Sequence, residues 1–72
     1  MKTPIQIGQQ FREGNIAPAL VWEVVRVVDY FEIPHCMLKR VGAPQTTKTI
    51  SCVTLLNPRY YRPFQAEEAH ER

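Results

Sequence analysis

A chain of 72 residues has room for one domain and one hydrophobic core, and 44% apolar with 22% charged residues excludes a disordered chain and a membrane-embedded one. The net charge of +2 is unevenly spread: residues 1–65 carry eight Lys and Arg against four Asp and Glu, while residues 66–72 carry one against three. Such a mildly basic body permits an anionic partner without demanding one.

No run reaches the roughly 18 to 20 apolar residues of a spanning helix, and the opening Met1 to Gly8 lacks the apolar stretch of a signal peptide. The expectation is a cytoplasmic protein with no membrane association. Two cysteines, Cys36 and Cys52, fall short of the disulfide sets that staple coreless mini-proteins, so packing has to hold the fold and the thiols are expected free.

In chain order, Ile5 to Arg12 supplies a first strand, with a bend at Gly8 and Phe11 pointing inward. Glu13 to Ala19, with Gly14, Asn15 and Pro18, reads as a long loop. Val21 to Tyr30 is rich in β-branched and aromatic residues and forms the central strand, with Trp22 in the core. Strict alternation would leave apolar residues on both of its faces. A bulge near Val24 and Val25 resolves this by placing Trp22, Val24 and Val27 inside and turning Arg26 out.

His35 to Val41 and Thr47 to Leu55 flank the turn-forming stretch Gly42 to Thr46 and read as a hairpin. Centring it on Pro44 sets Leu38 beside Ile50, Cys36 beside Cys52, and Arg40 beside Lys48 on one face. A shift of two residues fits as well. Asn57 and Pro58 then suit the start of a short 3₁₀ turn, and Tyr61 to Phe64 suits an edge strand, where Pro63 is tolerated. Hydrophobicity falls after Phe64, dividing the chain into a domain at 1–65 and an acidic tail at 66–72, disordered or helical.

Five short strands, a long loop after the first and a helical turn before the last resemble the SH3-like barrel shared by KOW, Tudor and Sm-type modules. The resemblance covers about residues 5–65 and lies in element order. It implies an all-β, five-stranded barrel. The Ala-Leu-Tyr-Asp-Tyr box and paired tryptophans of signalling SH3 domains are absent, as is a KOW signature, so no ligand-binding residue is carried over, and barrels of this kind serve many functions.

Catalytic chemistry finds little footing. His35 and Cys36 are neighbours on a strand and project to opposite faces, which argues against a Cys–His nucleophile and against a zinc site completed by Cys52 and His70. Glu13, Glu23, Asp29 and Glu32 are scattered, and Gly8, Gly14 and Gly42 form no phosphate-cradling loop. The expectation is a non-catalytic module without cofactor, metal or small-molecule substrate.

Two binding surfaces are candidates. Tyr30, Phe31 and Ile33 crowd large apolar side chains into a connection, as expected of a contact for a partner protein or a second copy, although Phe31 and Ile33 would equally serve to close one end of a barrel. Lys39, Arg40, Lys48, Arg59 and Arg62, interleaved with Tyr61, are the alternative: cations for phosphates and an aromatic face for bases of RNA or DNA. Protein binding is the leading expectation and nucleic-acid binding the second.

Overall fold

The computed structural model describes residues 5–14 and 20–64. Five strands, β1 (Gln10–Glu13), β2 (Leu20–Tyr30), β3 (Ile33–Arg40), β4 (Ala43–Ser51) and β5 (Tyr61–Phe64), form one antiparallel sheet in the order β4-β3-β2-β1-β5. A single helical turn, α1 (Cys52–Leu55), joins β4 to β5. The all-β class and the central position of Val21 to Tyr30 are as the sequence predicts. Residues 15–19 of the expected first loop, residue 65 of the expected domain and the whole expected tail at 66–72 lie outside the described residues.

The alternation conflict in β2 is resolved as its residues require. Val24 pairs with Leu38 and Arg26 with Met37, leaving Val25 as the extra residue of a bulge. Trp22 and Val24 are buried, Val27 packs against the core, and Arg26 faces solvent. The same bulge bends the strand and raises its twist, which lets one sheet curl around its own inner face. Phe11, Trp22, Val24, Leu38 and Tyr61 fill that face, and Ile5, ahead of β1, packs among them. Gly8 turns the chain there with φ +93°, and its N–H donates to the Val24 carbonyl at 2.8 Å.

The expected barrel is not closed by a backbone ladder. β4 and β5 are the two edges of the sheet, and no hydrogen-bonded pairing joins them. Their composition suits edges: Pro44 lies in β4 and Pro63 in β5, where a missing N–H is tolerated.

The β3–β4 hairpin adopts the register two residues from the one centred on Pro44. Cys36 pairs with Ile50 and Leu38 with Lys48; the register then shifts between Lys39 and Arg40, where residues 44–46 of β4 are extra, and Arg40 pairs with Ala43. The turn is Val41-Gly42, and Gly42 takes φ +94°, a conformation open to glycine and unavailable to proline. Arg40 and Lys48 therefore do not meet at the hairpin tip.

The helical turn also comes earlier than Asn57. Ser51 Oγ accepts the Thr54 N–H at 3.2 Å and caps α1, ending β4 at Ser51 where the sequence suggests a strand to Leu55. Asn57 organises the next turn: its Oδ1 accepts the Arg59 N–H at 2.9 Å and its carbonyl accepts those of Tyr60 and Tyr61. Cys52 and Leu55 face inward from α1, which packs against β3, β4 and β5 and plugs one end of the core.

Trp22 joins this core through its ring and a hydrogen bond, so Trp22→Ala is expected to cost about 3 to 5 kcal/mol in denaturant unfolding. An unchanged unfolding curve would place the indole outside the core.

Candidate functional site

Three side-chain groups stand out from the sheet: a polar cluster inside the curl, an apolar hairpin tip and an arginine face on the outside. The first accounts for two residues that the sequence offers to nucleic acid. Lys48 pairs with the buried Leu38 and so points to the inner face. Its Nζ donates to Tyr61 Oη at 2.6 Å and to Glu13 Oε1 at 3.1 Å. The ammonium also lies 4.2 Å from the centre of the Trp22 ring and 5.1 Å from that of Tyr61. Trp22 Nε1 donates to the same Glu13 oxygen at 2.8 Å.

Four strands thus meet at one cation, with β4 reaching β1, β2 and β5 through a side chain. Burial disfavours the ammonium, but the hydrogen bonds to Tyr61 and Glu13 outweigh it, and the Lys48 pKa rises above the ordinary 10.5. Lys48 is held internally and Tyr61 is only 6% exposed, so neither belongs to an outward binding surface.

The hairpin tip gathers Tyr30, Phe31 and Ile33. Tyr30 pairs with Ile33, and Phe31-Glu32 forms a two-residue turn with φ of +53° and +66°. Positive φ at both central residues is the type I′ pattern, which glycine and asparagine satisfy and phenylalanine and glutamate resist. Phe31 is 96% exposed, Tyr30 48% and Ile33 51%. The tip runs beyond the last β3–β4 pair, His35 with Ser51, so these side chains do not close an end of the curled sheet. His35 braces the base: its Nδ1 lies 2.9 Å from the Ile33 carbonyl and its ring 5.0 Å from that of Tyr30. The exposed carboxylates of Asp29 and Glu32 flank the tip.

On the outer face, Arg12 of β1 lies directly opposite Arg62 of β5. Arg59 and Arg62 line a shallow depression, open to solvent, together with Pro58 and the half-exposed Tyr60. Among the described residues the only ion pair is Lys48–Glu13, so none of these three arginines has a carboxylate partner there. Lys39 stands apart, opposite Glu23, and β3 is three strand spacings, roughly 14 Å, from β5. Arg40 lies across from Trp22 at the end of β3. The six residues expected to form one basic and aromatic surface are therefore distributed over four places. Arg12 is absent from that expectation because its proximity to Arg62 depends on the β1–β5 register, which no turn between those strands fixes.

Groups with nucleophilic or ligating chemistry are engaged elsewhere. Ser51 Oγ donates to Thr54 Oγ1 at 2.9 Å, and among the described residues no three His, Cys, Asp or Glu gather as a metal site. Burial, then the thiol contact and charge of Cys52, push Cys36 up to about 12.

Lys48→Met keeps the length of the side chain and removes the cation, and is expected to cost about 1 to 3 kcal/mol at neutral pH. A group whose pKa is raised by folding stabilises fully below its unfolded value and loses that contribution as pH rises through the folded value. The stability gap between wild type and Lys48→Met should hold up to about pH 10 and narrow above it, in urea titrations run across that range. A gap independent of pH up to 12 would contradict the charged role of Lys48. No protein-family model, curated protein or solved structure matches this chain.

Proposed function

We propose that this chain is a small, non-catalytic SH3-like binding module that docks a partner protein through its β2–β3 hairpin tip. The strand order, with β1 between β2 and β5 and a helical turn before β5, supports the SH3-like reading. No helix among the described residues is long and apolar enough to cross a membrane, and we place the module in the cytoplasm.

The carrying observation is the tip itself. Phe31 stands almost wholly in water on a backbone conformation that costs an L-residue roughly 1 to 2 kcal/mol. Exposure and strain at the same residue bring the isolated domain nothing, and a partner that buries the ring offsets both. The chemistry of the tip describes that partner: an apolar pocket for Phe31, with Tyr30 and Ile33 at its wall, rimmed by basic groups opposite Asp29 and Glu32.

Replacing Phe31-Glu32 by Asn-Gly tests this directly. The variant should unfold about 1 to 2 kcal/mol later than wild type, because the new residues accept positive φ. It should also fail to retain the partner that wild type captures in a pull-down at raised salt. Retention of the same partner by the stabilised variant would refute docking through the tip, and light scattering would identify a second copy as that partner.

A second reading, binding of single-stranded nucleic acid, is favoured by one observation: like charges on Arg12 and Arg62 face each other with no carboxylate among the described residues to offset them. Phosphates would seat between them, with Tyr60 offering a face to a base. If so, labelled oligonucleotides bind at low salt, release steeply as salt rises, and lose binding on Arg12→Glu with Arg62→Glu. Absence of binding at low salt removes this reading and leaves the first untouched.

A further inference from the structure

We propose that Cys36 and Cys52 are a reversible dithiol–disulfide pair which, when oxidised by a peroxide, crosslinks α1 to β3. The two sulfurs lie 2.8 Å apart and both residues are buried as free thiols. They reach one another from different elements. Cys36 faces inward from β3, paired with Val27 and Ile50, while Cys52 opens α1 and is turned inward by the Ser51 cap.

A disulfide requires the sulfurs to close by roughly a further 0.8 Å, within reach of small side-chain rotations. The two are 16 positions apart in the chain, so chain proximity does not bring them together.

The chemistry balances without any other protein group. The Cys52 thiolate attacks one peroxide oxygen, the O–O bond breaks, and the second oxygen leaves as water after protonation, giving a sulfenic acid. The Cys36 sulfur attacks that sulfenic sulfur; the S–S bond forms, the S–O bond breaks, and the departing hydroxide takes the Cys36 proton to leave a second water. Two thiols are oxidised and one peroxide is reduced to two waters. An external dithiol reverses the bond by exchange.

Burial sets the conditions for this reaction. Both thiols are buried, which shields them from mild oxidant, and Cys36, its pKa pushed up to about 12, is seldom a thiolate, so the first attack falls to Cys52. Cys52 lies at the start of a single helical turn beside the exposed Val53, and lifting that turn exposes it first. The pair therefore responds to sustained oxidant. Once formed, the bond ties α1 to the sheet and restrains the unfolded chain, raising the melting temperature by about 10 °C.

The test uses the full wild-type chain, so it does not depend on a cysteine variant folding. The protein is held in hydrogen peroxide, unfolded in denaturant, alkylated with iodoacetamide and weighed; a parallel sample is treated with dithiothreitol before alkylation. The expected result is a monomer lacking two hydrogens, with neither cysteine alkylated, that recovers two alkylation sites after reduction. The oxidised protein should keep its β-sheet circular dichroism and melt higher. Two cysteines still open to alkylation, oxygen added to one cysteine without a crosslink, or an oxidised chain that melts lower would each overturn the proposal.

Discussion

A lysine ammonium does in this domain what a backbone ladder does in a closed barrel. β4 and β5 are the free edges of a five-stranded sheet, and Lys48 on one edge reaches Tyr61 on the other across a gap that no main-chain hydrogen bond spans. Glu13 completes the clasp by accepting from Lys48 and from the indole of Trp22. The arrangement is favourable because the charge is only partly withdrawn from water, hydrogen-bond acceptors are directed at it, and the Trp22 ring lies against it. An inward-pointing lysine on an edge strand also discourages pairing with another sheet.

The clasp is possible only because the sheet curls, and the curl follows from Val25. One extra residue in β2 keeps Trp22, Val24 and Val27 on the inner face while bending the strand at its middle. Beyond the bulge, β2 and β3 continue past the end of β4 and carry the apolar tip away from the core. The same long hairpin thus supplies both the wall of the core and the projecting Phe31. Stability resides at one end of the hairpin and the proposed contact at the other, which leaves the tip free to carry strain without opening the core.

Several of these features are legible in the sequence, for identifiable reasons. The bulge in β2 is legible because a run of valines cannot alternate between a buried and a wet face without one. The number of strands and the edge position of Pro63 follow from turn chemistry and from the missing proline N–H. The β3–β4 register is left open between two choices; Gly42 supplies the positive φ of the turn, and the irregularity between Lys39 and Arg40, which no sequence signal marks, sets the pairing of the rest of the hairpin. α1 is harder to see, because a single capping serine competes with strand-forming neighbours on both sides. The role of Lys48 is not legible, since a lysine in a polar edge strand looks solvated until β1, β2 and β5 are brought around it. Arg12 beside Arg62 is hidden for the same reason, being a product of non-local pairing.

If a side-chain clasp holds the sheet closed, the energies of its members must depend on one another. A double-mutant cycle on Lys48→Met and Tyr61→Phe, read by urea unfolding at neutral pH, measures that dependence while preserving the size of both side chains. The account predicts a coupling of about 1 kcal/mol or more, with the double variant losing less than the two single variants together. Strictly additive losses would mean that the Lys48–Tyr61 contact contributes nothing and that the sheet stays curled on apolar packing alone.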